Sequence, residues 1–251
     1  LSRSQETRLA HQACGVLANL AEVPANQEEM VSDGVLHHLK FALRSKSNEV
    51  NREALRSLCN ISSDYSCTHS IANAGLLVPL IRSLSSNEML CRRFASMAIS
   101  NIATNRSVQP RLVEEGAIDP LFSIVSQGDG EDDESNRYAF SALSNISSHK
   151  SHHSNLLRCD IVQQSLLFLE SHDRDLVSSA ALCLSNLASN PESHETLKQF
   201  NALEKMEPFL NQGRRQLQLR AVSFVRGLST STAMRSELVQ PTMRTTMLKL
   251  A

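Results

Sequence analysis

The stretch ALSNIS, residues 142–147, has four close relatives in the same chain: VLANLA at 16–21, SLCNIS at 57–62, AISNIA at 98–103 and CLSNLA at 183–188. Each writes an asparagine into an aliphatic run, although asparagine is a mediocre helix former and a poor core residue. The asparagines are Asn19, Asn60, Asn101, Asn145 and Asn186, spaced by 41, 41, 44 and 41 residues. One further step of 41 lands on Gly227 in SFVRGLS, a sixth and degenerate copy.

Two other markers keep the same register. Gly34, Gly75, Gly116, Asp160 and Asn201 open GVLHHL, GLLVPL, GAIDPL, DIVQQSLLFL and NALEKM. Gly, Asn and Asp are the residues that best tolerate φ > 0, so a left-handed turn is expected there. An aliphatic residue precedes each turn: Met30, Ile71, Leu112, Leu156, Leu197 and, one unit further on, Leu238. Each unit therefore reads as three helices: a short first one (107–115, for example), a second after the turn (117–126) and a longer third carrying the Asn (134–148). Pro79 and Pro120 sit four residues after the turn Gly. That is the first turn of the second helix, where proline is tolerated.

The single 44-residue step is explained by SQGDGEDDES at 126–135. Gly128 and Gly130 break a helix, and the acidic run across 127–134 reads as a lengthened, solvated loop. The expected architecture is all-α: one domain over 1–251, about six three-helix repeats of roughly 41 residues, with a partial repeat at each end.

Composition agrees. Of 251 residues, 41% are hydrophobic but only 4% aromatic, with no Trp, so the core must be aliphatic. The net charge of −1 does not describe a polycation built for nucleic acid, and no arginine–aromatic interleaving offers a stacking platform. None of the six cysteines forms a CxxC pair, and a reducing compartment is expected. No run of 18 apolar residues exists.

Units of this length fall in the HEAT and armadillo class. The A-x-x-x-[LI]-x-N-[LI] pattern at 13–20, 54–61, 95–102, 139–146 and 180–187 resembles the armadillo repeat, and the resemblance covers nearly the whole chain. It implies a right-handed α-solenoid whose third helices line a concave wall. In repeat style the chain resembles armadillo-only adaptors of the vacuolar scaffold type and beta-catenin-like arrays.

On a helical wheel the Ala, the Leu or Ile and the residue after Asn form one apolar stripe, centred about 130° from the Asn. Asn thus leaves the core stripe. By resemblance, Asn19, Asn60, Asn101, Asn145 and Asn186 form a ladder that holds the backbone of an extended peptide, since an amide offers both a donor and an acceptor. The alternative is that they bond within the solenoid. Eight residues before each Asn stand His11, Arg52, Arg93, Arg137 and Ser178, and Arg56 stands four before Asn60. Arg52, Arg56, Arg93 and Arg137 suggest a basic groove suited to an acidic segment. An ordinary solvated charged face is the alternative. Importin-alpha-like grooves carry Trp four residues before Asn, and this chain has none. That departure argues against a receptor for basic import signals.

Other motifs carry little chemistry. His149, His152 and His153 in SSHKSHHS lack companion ligands at metal spacing and read as a polar turn. GDGEDDE lacks the order of a calcium loop. No GxSxG, HExxH, GxGxxG or P-loop occurs, and no metal, cofactor or catalytic role is expected. The NIS and NRS sequons at 60, 145 and 105 read as accidental.

The chain starts and stops out of phase with the repeat, as expected of a piece of a longer array or of an array that docks at one end. The expectation is a non-catalytic protein-binding scaffold with no nucleic-acid role. Its partner is an extended, acidic peptide or, alternatively, a globular protein such as a small GTPase or chaperone. It is expected in the cytoplasm, in the nucleus or on an organelle surface, with membrane tethering only through a lipidated upstream segment.

Overall fold

A computed structural model describes residues 3–127, 132–211 and 213–250. All regular structure among them is helical. In order these are α1 (Arg3–Ala21), α2 (Pro24–Ser32), α3 (Val35–Ala42), α4 (Asn48–Ser62), α5 (Tyr65–Asn73), α6 (Leu77–Ser83), α7 (Met89–Ala103), α8 (Gln109–Glu114) and α9 (Ile118–Ser126). Then come α10 (Asp133–Ile146), α11 (His153–Leu157), α12 (Ile161–Leu169), α13 (Arg174–Ala188), α14 (His194–Gln199), α15 (Ala202–Met206), α16 (Arg215–Leu228), α17 (Thr232–Leu238) and α18 (Pro241–Leu250). Short 3-10 turns at Lys150–His152, Pro191–Ser193 and Glu207–Leu210 join some of them.

The long third helices are α1, α4, α7, α10, α13 and α16. The chain packs as two compact units, Leu1–Ala142 and Leu143–Ala251. In the first, α1 packs on α4 and α4 on α7; in the second, α13 packs on α16.

The expected left-handed turns are present at all five positions. Gly34, Gly75 and Gly116 have φ of 85°, 70° and 80°, and Asp160 and Asn201 have φ of 50° and 52°. Each ends a first helix and redirects the chain into the second. Asp and Asn substitute because their short polar side chains tolerate this conformation better than other non-glycine residues do.

The wheel's core stripe is buried where the repeat is complete: Ala54, Leu58 and Ile61 on α4, Ala95, Ile99 and Ile102 on α7, and Ala180, Leu184 and Leu187 on α13 are shut off from solvent. On α1 the same register is open. Ala13 is exposed, and Leu20 keeps 47% of its surface.

Third helices share a start signal that the sequence reading overlooked. Ser47, Glu88, Asp132 and Asp173 recur at 41, 44 and 41 residues and cap α4, α7, α10 and α13. Ser47 Oγ accepts from Val50 N at 3.3 Å, Glu88 Oε2 from Cys91 N at 2.7 Å, Asp132 Oδ1 from Ser135 N at 3.2 Å and Asp173 Oδ1 from Asp175 N at 2.8 Å. Each satisfies an otherwise orphaned N–H of the first turn. The next member is Arg214, which caps nothing with its side chain.

At 132–134 this corrects the reading of a solvated loop. Asp132 is only 8% exposed, and the helix begins at Asp133. Gly128, Asp129, Gly130 and Glu131 lie outside the described residues. All six cysteines are free thiols, five of them buried. Burial pushes Cys59 and Cys91 up to about 12 and Cys183 to about 11, so these thiols stay protonated and packed as small apolar groups. Among the described residues no helix is long and apolar enough to cross a membrane.

Candidate functional site

Within each unit the third helices present a strip of partly exposed side chains at the Asn and at four and eight residues before it. In the first unit the strip carries Arg52, Arg56 and Asn60 on α4, Arg93, Met97 and Asn101 on α7, and Arg137 and Ser141 on α10, all half-buried. In the second it carries Asn145 on α10 and Ser178, Leu182 and Asn186 on α13, again half-buried. The wheel thus located the strip.

The asparagines do not point freely outward. Asn60 Nδ2 donates to Ala18 O at 3.0 Å, at the end of the preceding third helix. Asn101 Nδ2 donates to Ser62 Oγ at 3.1 Å and lies 3.5 Å from Cys59 O. Asn186 repeats this with Ser147 Oγ at 3.0 Å and Ser144 O at 3.5 Å. The amide nitrogens therefore tie one third helix to the next and quench carbonyls that a helix terminus leaves open. The Oδ1 atoms of Asn60, Asn101 and Asn186 keep their acceptor capacity, with no protein donor among the described residues. Asn19 is the reverse case: its Oδ1 accepts from Arg56 Nη2 at 2.8 Å.

At Gly227 the strip closes. A Cβ there would sit 2.6 Å from Ala188 O, inside backbone. The sixth copy is degenerate because α16 approaches the end of α13 too closely for any side chain at this point.

The four arginines of the strip are paired. Arg56 contacts Glu53 and Glu22, each at 2.8 Å, and so links α4 to the end of α1. Arg52 lies 3.4 Å from Glu53. Arg93 reaches Glu134 at 2.6 Å and Asp132 at 3.3 Å, while Arg92 lies 3.7 Å from Asp132. Arg137 lies 3.5 Å from Glu134 and stacks over Tyr138. Each cation has a carboxylate within reach, so the strip of the first unit is a lattice of both signs rather than a field of positive charge.

A further polar row escaped the sequence reading. Gln27, Gln109, His153, His194 and Arg235 share the repeat's register, and each side chain contacts the carbonyl six residues back, where a third helix ends. The contacts are Gln27 Nε2–Ala21 O at 2.9 Å, Gln109 Nε2–Ala103 O at 2.8 Å, His153 Nε2–Ser147 O at 2.7 Å, His194 Nε2–Ala188 O at 2.8 Å and Arg235 Nε–Ser229 O at 2.9 Å. The 41-residue spacing was the available signal; the changing residue type hid it. Thr68 holds the second place in the row and instead bonds Tyr65 O at 2.7 Å. His153 is buried, and its pKa is lowered, first by burial. Among the described residues no metal-ligating cluster of His, Cys, Asp and Glu forms.

These helix triplets, joined by left-handed turns and stacked through their third helices, are the armadillo-repeat fold. A designed armadillo repeat protein superposes with a TM-score of 0.79 over 87% of this chain and 92% of its own, at 23% identity. Computationally designed armadillo repeat proteins for modular peptide recognition give 0.80, covering 90% of this chain and 95% of theirs at 23% identity. A third design, solved in complex with the peptide (KR)4, gives 0.75 at 24% identity, covering 90% of this chain and 94% of its own. No family model matches the sequence. A probable inactive serine/threonine-protein kinase of Dictyostelium discoideum is 23% identical over 114 residues, 45% of this chain and 6% of that protein.

Proposed function

We propose that the protein is a non-catalytic binding scaffold that holds extended protein segments against the third-helix faces of its units. The observation that carries the reading is the half-buried asparagines, Asn60 and Asn101 in the first unit and Asn186 in the second, whose Oδ1 acceptors have no protein donor among the described residues. They are held at fixed rotation by amide nitrogens already bonded to the preceding helix. A held acceptor meets a peptide N–H with little further entropy loss. Support also comes from designed armadillo proteins made for modular peptide recognition and from another design bound to the peptide (KR)4.

The preference for acidic segments needs separate support. Arg52, Arg56, Arg93 and Arg137 already have carboxylate partners, so an acidic ligand would have to displace Glu22, Glu53, Asp132 or Glu134. These four arginines order the surface; they do not by themselves favour an anion.

The test is an array of extended peptides probed with the purified chain, followed by calorimetry on the retained sequences. Replacing Asn101 and Asn186 together by Ala is expected to weaken binding about tenfold or more, since each lost hydrogen bond is worth about 1 kcal/mol. The pair Asn101→Asp and Asn186→Asp keeps the acceptor but loses the inter-helix donor. It should lower the melting temperature while retaining affinity for peptide N–H groups. Retention of no peptide, or equal affinity in the Ala pair, would discard the reading.

A further inference from the structure

The second unit carries positive charge that no carboxylate neutralises among the described residues. Between Glu207 and Glu237 the chain has five arginines and no Asp or Glu. Three of them, Arg215, Arg220 and Arg226, lie on α16. Among the described residues none of the three makes an ion pair. Arg215, Leu219, Ser223 and Arg226 fall within about 80° of one another around the helix, and all four are exposed. Leu219 keeps 58% of its surface, in the register that holds Arg52, Arg93 and Arg137 on α4, α7 and α10.

Arg220 marks the edge of this stripe. It is half-buried, and among the described residues its guanidinium is met by Ser178 O and Oγ on α13. Burial without a carboxylate lowers its pKa and leaves its charge poorly compensated. The close approach at Gly227 brings α16 against α13, so Leu182, Ser178 and Ser179 on α13 continue the surface.

We infer that this α13–α16 face is the charge-selective part of the scaffold and takes a glutamate- or aspartate-rich extended segment, with an apolar residue over Leu219 between carboxylates that pair with Arg215 and Arg226. This rests on the reading of the protein as a peptide scaffold. Three features favour a protein segment over nucleic acid. The centre of the stripe is aliphatic, Phe224 of the same helix is fully buried, and no aromatic ring is offered for base stacking. The charge complementarity is local: the chain as a whole is near neutral.

The experiment measures fluorescence anisotropy of a labelled peptide of alternating Glu and Leu, titrated with the full chain. Arms with a Lys–Leu peptide and a single-stranded RNA oligonucleotide run in parallel. The Glu–Leu peptide is expected to bind, with affinity falling as salt rises. Arg215→Gln with Arg226→Gln should weaken it about tenfold, and Arg226→Glu should weaken it more than Arg226→Gln does. Arg52→Gln with Arg93→Gln should change it less than about twofold. Both positions on α16 are exposed, and thermal melting confirms that the variants fold.

Equal or greater loss from the Arg52 and Arg93 pair would overturn the assignment to α16. So would tight RNA binding lost in the α16 variants, or binding of the Lys–Leu peptide alone. In that last case the scaffold reading survives and only the charge assignment goes. If neither peptide binds, both readings go.

Discussion

The same helix of the repeat is built in two ways in this molecule. On α4, α7 and α10 the third helix begins with an oxygen cap, and its arginines are held by Glu22, Glu53, Asp132 and Glu134. On α16 it begins with Arg214, which cannot cap, and its arginines are unpaired among the described residues. The two units also close their helix ends differently. Gln27 and Gln109 bond terminal carbonyls in the first unit, and His153 and His194 do so in the second. One backbone plan thus tolerates opposite electrostatic solutions. The first unit is internally neutralised and pH-indifferent at these caps. The second leaves the α16 arginines without carboxylate partners among the described residues and holds an imidazole cap, His153, whose pKa is lowered by burial.

The contrast can be broken at its buried end first. His153→Ala removes the cap on Ser147 O and leaves a cavity in the second unit, with an expected loss of about 3 kcal/mol. Hydrogen exchange read by mass spectrometry should place the loosening in 143–251 and leave α1 to α7 protected. The pH dependence follows from the same residue. The folded-state pKa of His153 is depressed below its ordinary 6.5, so below that value the unfolded chain binds more protons. Its contribution is fully present above pH 6.5 and is lost as pH falls from there through the lower folded-state value. His153→Gln, which copies the cap at Gln109, should flatten that part of the stability-versus-pH curve.

Gly227→Ala tests the close approach of α16 to α13. Forcing a Cβ onto a backbone carbonyl should cost about 2 kcal/mol, measured as a lower denaturant midpoint. Arg214→Asp should act in the other direction. Its backbone already has the extended conformation of a cap, and an oxygen there should add about 1 kcal/mol, making α16 start as α4 and α10 do. Smallest of all, Arg226→Gln should move stability by less than about 0.5 kcal/mol, because the side chain is exposed and unpaired. A larger drop would mean that α16 conceals an ion pair and resembles α4 after all.

Much of the fold was legible because the repeat register fixes both turns and core. Gly34, Gly75, Gly116, Asp160 and Asn201 carry the left-handed turn in a residue type that reveals it. The strip was legible too, since a wheel orders residues along one helix. Their partners were not. Glu22 lies 34 residues before Arg56, and Asp132 lies 39 after Arg93. Such pairs depend on how neighbouring helices stack, which no single-helix periodicity encodes. Asp132 was misread because an acidic, glycine-rich run suggests solvent, while its role as a cap depends on the one residue in the run that keeps the 41-residue beat. The cap row from Gln27 to Arg235 was hidden for a related reason: only the ability to donate one hydrogen bond repeats there, not the residue.

That cap row amounts to an experiment in substitution already performed within one polypeptide. Glutamine, histidine and arginine have each been installed at the same structural address, and every one reaches its carbonyl at 2.7–2.9 Å. The position asks for reach and a proton, nothing more. Acid sensitivity can therefore be written into or erased from an individual repeat by a single codon, while the stacking of its helices goes on unchanged.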